Sequence, residues 1–244
     1  MKKAFFIISL SLILLSKVNA IAATFNADKK ILIFSLTKGF RHKSISNGII
    51  AIQKLGSEHG FQVDTSESVL SFTKENLSRY RSIIFLNPTG SNVFNEQQKQ
   101  ALVDYIHNGG GLLGIHAATD FCYEWEWYGK LIGAYFVSHP KVQSAKLITT
   151  KTHRQLMKKI PSEWQHTDEW YNFKSFNKQV KVLMQVDENS YEGAKMNGSH
   201  PIVWYHHFEG GRVFYTGLGH TPESYTNEVF LQQLLNAIEW TMGK

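Results

Sequence analysis

The residue best placed for chemistry lies in Gly109-Gly110-Gly111-Leu112-Leu113-Gly114-Ile115-His116-Ala117-Ala118-Thr119-Asp120. The segment reads as a helix end, a short buried strand and a sharp turn that presents His116. In parallel α/β proteins such a turn lies at the carboxyl edge of the sheet, where ligands collect. A cysteine on that elbow would be a thiol nucleophile. A histidine keeps the geometry and turns the chemistry to proton transfer or metal ligation. His220 follows the same logic in Gly217-Leu218-Gly219-His220-Thr221-Pro222-Glu223, where glycines let the backbone approach a ligand closely. A helix start at Thr221-Pro222 is expected to lower its pKa through the helix dipole. The alternative for His116 is a core histidine bonded to a backbone carbonyl, and for His220 a helix-start residue with ordinary exposure.

Arg41 and His42 end the loop after the first expected strand, on the same edge. Arg41 could hold a hydroxyl, a carboxylate or a keto oxygen. Three neutral imidazoles, His42, His116 and His220, around an open position would make a zinc-type site. A divalent metal is the one cofactor these residues leave open. Asp168 and Glu169 are the acid candidates, and neighbours on a strand point to opposite faces. Asp120 and Glu223 could supply a second carboxylate, or could cap a helix or orient a histidine. Trp170 and Tyr171, with Trp125, Trp127 and Trp164, offer flat apolar faces of the kind that pack on sugars or simply cover a sheet edge. His206-His207 falls on an expected strand, so the two rings cannot serve one site.

The elements that must position these groups alternate. Lys30 to Leu36 is an apolar run of strand length, and Ser44 to His59 has helical spacing ended by Gly60. Short strands are expected at 61–64, 82–86 and 112–115, and Asn95 caps a helix over Glu96 to His107. That rhythm implies right-handed parallel crossovers and a doubly wound, mainly parallel sheet with helices on both faces. The loops Thr37–His42, Pro88–Gly90 and His116–Asp120 should then share one sheet edge. The middle is less regular, with plausible strands at 141–149 and 180–186 and no clear period through His166 to Tyr171. Strands over 202–206 and 212–217 and a helix over Asn227 to Met242 close the chain.

Residues 1–20 read as a signal peptide, with a basic start at Lys2-Lys3, an apolar stretch from Ala4 to Leu15 and a small-residue cleavage pattern at Val18-Asn19-Ala20. The apolar stretch is too short for a comfortable membrane span. A periplasmic or secreted protein with one domain over 21–244, and no stable membrane anchor, is expected. Without Lys2, Lys3 and Lys17 the formal charge of +6 falls to +3, so nucleic acid is not an expected partner. The single cysteine, Cys122, cannot form an intramolecular disulfide and reads as a small buried residue. No GxGxxG follows the first strand, and P-loop and GxSxG motifs are absent from the sequence.

Several segments in order carry a family resemblance: Thr37 to His42, Gly109 to His116, Ser138-His139-Pro140, Asp168 to Tyr171, and Gly211 to Tyr215 running on to Gly219-His220. With them the chain resembles the ThuA-like (trehalose-utilisation) proteins. The resemblance implies the flavodoxin-like α/β fold of class I glutamine amidotransferases. It also implies a role in sugar catabolism through 3-keto sugars made by partner oxidoreductases. On that basis the expected function is cleavage of a (3-keto) glycoside or disaccharide such as a trehalose derivative. His116 or His220 would act as base and Glu169 as acid, with Arg41, His42, Asp120, His139, Asp168, Trp170 and Tyr171 binding substrate. The alternatives are a non-catalytic carbohydrate-binding protein and, less favoured, a hydrolase using Cys122.

Overall fold

The computed structural model of the chain describes residues 29–243. The leader read over 1–20 lies outside the described residues. Among the described residues no helix is long and apolar enough to cross a membrane.

The chain begins with β1 (Lys30–Phe34), α1 (Ile45–His59), β2 (Gln62–Ser66), the short α2 (Lys74–Leu77), β3 (Ser82–Leu86), α3 (Glu96–His107) and β4 (Gly111–Ile115). The helix boundaries follow local chemistry. Gly60 adopts φ +73° and ends α1, and Asn95 with Gln98 forms a reciprocal capping box on α3. After β4 come α4 (Glu126–Ile132), β5 (Tyr135–Ser138), β6 (Gln143–Thr149), β7 (Glu163–Asp168), β8 (Asn172–Lys174), β9 (Lys181–Val186), β10 (Pro201–Phe208), β11 (Gly211–Thr216) and α5 (Glu228–Thr241).

Nine strands form one sheet in the order β2-β1-β3-β4-β11-β10-β9-β6-β7. The pairs β2–β1, β1–β3, β3–β4 and β4–β11 are parallel, and every pair from β11 to β7 is antiparallel. The doubly wound parallel half is thus extended by an antiparallel wing, whose edge strand β7 ends within the His166 to Tyr171 stretch that shows no period in the sequence. β5 and β8 pair separately.

Glycines on β4 set how closely the helices approach. A Cβ on Gly111 would lie 2.0 Å from the carbonyl oxygen of Thr241 in α5, and one on Gly114 would lie 2.3 Å from Ile132 in α4. Residues three apart on a strand face opposite ways, so α5 and α4 cover opposite faces. α1 packs with α5. Under the loops beyond β1 and β3, Phe34, Phe72, Phe85, Phe94 and Phe121 interlock, with centroids as close as 4.5 Å. Burying each such ring contributes about 1.5–3 kcal/mol.

A cavity of about 880 Å³ opens at the amino ends of the parallel strands between Lys29, Arg79, Arg81 and Arg212, away from the clustered His42, His116 and His220. Cations there complement the carboxyl end of α3.

His200 and His206 are buried, and burial holds both below the ordinary histidine value of 6.5 despite hydrogen bonds to the carbonyls of Tyr171 and Leu131. The folded chain therefore favours their neutral form more than the unfolded chain, which takes up protons below about pH 6.5. Their contribution to stability is complete above that pH and is lost as pH falls below it. The thermal midpoint should drop between about pH 7.5 and about pH 5, and should drop less in His206→Gln, whose amide can still donate to Leu131. Equal drops in the two proteins would refute this.

Candidate functional site

Parallel register sets the site. Phe34 pairs with Phe85, Leu86 with Ile115, and Ile115 with Thr216, so β1, β3, β4 and β11 end side by side. The loops beyond them are stitched by bridges between Thr37 and Thr89 and between Gly90 and Phe121. Asn87 joins all four exits. Its amide N–H groups donate to Ser44 Oγ and the Gly219 carbonyl, and its Oδ1 accepts from Ala117 N–H. Sequence reasoning missed this residue, although Asn87-Pro88 at a strand exit marks a turn that tolerates the observed φ of +49°.

His116 is buried, on a turn with φ +45°, a conformation that costs energy for a residue with a Cβ. The turn is strapped in place: Tyr215 and Thr119 hydroxyls donate to the His116 carbonyl at 2.8 and 3.3 Å. His116 Nδ1 lies 2.9 Å from the Gly217 carbonyl. A carbonyl only accepts, so Nδ1 carries the proton and Nε2 of the neutral ring keeps its lone pair. That nitrogen faces His220 Nδ1 at 3.2 Å and Glu169 Oε2 at 3.4 Å.

His42, on the loop before α1, completes the group. The centroids of His42, His116 and His220 form a nearly equilateral triangle of 5.0, 5.1 and 5.1 Å, with ring planes 75–87° apart. One ligand atom from each of these rings and one from Glu169 lie within 4.8 Å of one another, the one such group among the described residues. His42 Nδ1 is buried with no hydrogen-bond partner. A buried polar atom left unpaired costs about 1–3 kcal/mol, so the protein alone does not satisfy this ring. Burial, then the neighbouring His116 and His220, lowers the His42 pKa to about 3, so its ring stays neutral. Neutral imidazoles and a carboxylate are a fitting donor set for a divalent transition metal.

Glu169 is almost buried, and its oxygens face three histidines: Oε1 lies 2.9 Å from His139 Nδ1, and Oε2 lies 3.1 Å from His220 Nδ1. Burial works against ionisation, but the neighbouring His116 and His220 prevail and pull the carboxyl down to about 2. Glu169 is therefore an anion at neutral pH, suited to ligation or to holding His139 and unsuited to the proton-donor role its sequence context suggested. His220 also departs from expectation. Burial lowers its pKa, yet Glu169 and then Asp168 outweigh burial and raise it. The segment after it, Pro222–Thr226, is a 3₁₀ turn.

Asp168 is wholly buried. It accepts from Gly219 N–H at 2.8 Å, His220 N–H at 3.0 Å, Ser224 Oγ at 3.0 Å and Glu169 N–H at 2.9 Å. Burial resists its charge, but His166, His116 and these donors lower its pKa. Asp168 thus positions His220 rather than facing a cleft. Tyr171 packs its ring 4.0 Å from that of His116, while His139, on the exposed side of Glu169, and half-buried Asp120 stand at the rim.

Other candidates lie elsewhere. Arg41 is exposed and pairs with Glu67 at 2.6 Å. Trp170 is buried and donates to the Gln143 carbonyl, and Glu223 is exposed. Trp125 and Trp127 stack on each other at the start of α4. His206 is buried and His207 exposed, on opposite faces of β10. Cys122 is buried, which pushes its thiol pKa far up and disfavours the thiolate that a nucleophile needs.

The profile of the ThuA family, described as trehalose utilisation, matches residues 30–241. A protein described as ThuA-like from Bacteroides uniformis superposes with a TM-score of 0.74 at 24% identity, over 93% of this chain and 95% of that one. Another, from Parabacteroides merdae, gives 0.72 at 17% identity over 88% and 90%. A Thermoplasma acidophilum protein described as belonging to a GMP synthase gives 0.55 at 11% identity over 86% and 92%. These likenesses establish the fold, which is the flavodoxin-like, glutamine amidotransferase-like α/β arrangement. No curated protein matches the sequence.

The positioning role of Asp168 has a measurable consequence. Asp168→Asn places an amide donor among donors and removes a charge that several of them share. It should cost about 2–3 kcal/mol and lower the thermal midpoint by roughly 5–10 °C. Arg41→Ala, which removes only an exposed pair, should change stability by less than about 1 kcal/mol. Similar midpoints for the two variants would overturn the assignment.

Proposed function

The chain belongs to the ThuA (trehalose utilisation) family, and from that premise we propose that it is a sugar-processing enzyme that cleaves a ketone-bearing glycoside, such as a 3-keto derivative of trehalose. Family membership supports the sugar-related role. The observation that carries the chemistry is the convergence of His42, His116, His220 and Glu169 within 4.8 Å, with a buried His42 nitrogen left unpaired.

These four residues would hold a divalent, zinc-type cation. Such an ion supplies Lewis-acid polarisation of a carbonyl oxygen when bound. The protein's own groups prepare the site. The Gly217 carbonyl fixes the His116 tautomer, Asp168 fixes the backbone of His220, and His139 holds Glu169. Such outer partners orient ligands and tune their basicity. Tyr171, His139 and Asp120 border the cluster and would meet the sugar.

Location and supply belong to the same proposal. The basic, apolar leader over 1–20 supports a periplasmic or secreted protein. The ketone on the substrate would come from a partner oxidoreductase.

Equilibrium dialysis against zinc, manganese and cobalt should show about one ion per chain, and His116→Ala should bind at least about tenfold more weakly. Wild-type protein should release sugar from 3-keto-trehalose or a 3-keto-glucoside, and a chelator should abolish release. Calorimetric binding of the sugar without release, unchanged in His116→Ala, would replace the enzyme with a carbohydrate-binding protein. Absence of both metal binding and release would remove the proposal.

A further inference from the structure

Cleavage of a ketone-bearing glycoside needs a proton acceptor, and the four clustered residues are poorly free to be one. His116 uses Nδ1 on the Gly217 carbonyl and turns Nε2 to the cluster, and Glu169 faces three imidazoles. Resting on the reading above, we propose that Asp120 is the catalytic base of this site, taking the hydrogen from the carbon beside the ketone.

Asp120 closes the 3₁₀ turn that begins at His116, so the elbow that aims the imidazole also places the carboxylate. Its backbone is held at both ends: its N–H donates to the Ala117 carbonyl at 2.8 Å, and its carbonyl accepts from Gly90 N–H at 3.3 Å. Its two carboxylate oxygens differ. Oδ1 accepts the Tyr123 hydroxyl at 2.7 Å, and that hydroxyl also reaches the Phe136 carbonyl at 3.1 Å. No hydrogen bond to Oδ2 occurs among the described residues, and the side chain is only half-buried. A residue serving only to tie down Tyr123 needs one oxygen; this one keeps a second oxygen with no donor on it, on a carboxylate that feels the rings of His116 and His139. Phe136 packs 4.2 Å from Tyr171, which packs on His116, so Tyr123 and Asp120 are tied through these rings to the elbow that carries His116. Burial raises the Asp120 pKa, against Tyr123 and the rings of His116 and His139, which makes it a better base than a solvated carboxylate.

The step balances without another reactant. The C–H bond beside the ketone breaks, its electron pair moves toward the carbonyl oxygen, and the proton bonds to Oδ2 of Asp120. The C–O bond at the next carbon then breaks, and the departing oxygen takes that proton. The products are an unsaturated keto sugar and an alcohol, and Asp120 is again a carboxylate.

The test follows wild type, Asp120→Asn and Tyr123→Phe with a 3-keto-glucoside in deuterium oxide, reading deuterium uptake beside the ketone and aglycone release. Asn at 120 still accepts the Tyr123 hydroxyl, so metal content and thermal midpoint should hold. Exchange and release should both fall by at least about 100-fold, and Tyr123→Phe should lose roughly tenfold. Release within about threefold of wild type in Asp120→Asn overturns the proposal and leaves cleavage standing. Exchange without release in wild type, lost in Asp120→Asn, supports Asp120 and overturns cleavage. Neither exchange nor release in wild type overturns both. If Asp120→Asn does not fold, Asp120→Glu decides: exchange within about tenfold of wild type supports the base, and abolished exchange overturns it.

Discussion

Asp168 sits out of water at the end of β7 and accepts hydrogen bonds from the backbone of Gly219 and His220 beyond β11. Those strands lie at the far edge and the middle of the sheet. The antiparallel wing must therefore curve back until its last strand meets the carboxyl rim of the parallel half, and this carboxylate closes the contact. A buried charge is tolerated only where donors replace its lost hydration, and here they come from both sides of the junction. Remove that closure and Glu169, the next residue, has no reason to lie among the histidines.

The electrostatics of the cluster follow from which groups are solvated by protein. Glu169 is an anion because imidazoles surround it, and His42 is neutral because two other rings and burial oppose its charge. The cluster concentrates electron pairs in a small, mostly dry volume and leaves one of its buried nitrogens without a partner. Such an arrangement is poorly satisfied by the protein alone and well satisfied by a cation. Burial is the largest influence on both carboxyls, but at Asp120, with a phenol rather than several imidazoles on its carboxylate, nothing outweighs it. Two carboxylates near one elbow are thereby pushed in opposite directions, a pattern that separates their chemical roles.

The parallel half of this fold was legible because its strands are buried on both faces and read as short apolar runs between capped helices. Asn95 and Gly60 act where their residue types predict, and the three loops expected on one edge do lie together. Two of the histidines could be placed because each follows a glycine-relaxed strand. The wing was less readable: β7 runs Glu163-Trp164-Gln165-His166-Thr167-Asp168, with buried polar residues where a strand normally buries apolar ones. His166 and Asp168 are buried because they bond with Ser224 and the β11 exit. Only the three-dimensional closure explains that, so local pattern could not. Asn87 was missed for a related reason, since its bonds run to residues on three other loops.

The four clustered side chains come from the exits of β1, β4, β7 and β11, which span nearly the whole described chain. A partly assembled domain holds at most a few of them, and a nascent chain lacks His220 until synthesis is almost finished. Any ion with affinity for the full set would bind the completed domain and ignore its precursors. By mass action its concentration would then add to the free energy of folding. The resistance of the protein to unfolding would thus depend on how much free metal surrounds it, coupling its persistence to the ionic supply of its compartment.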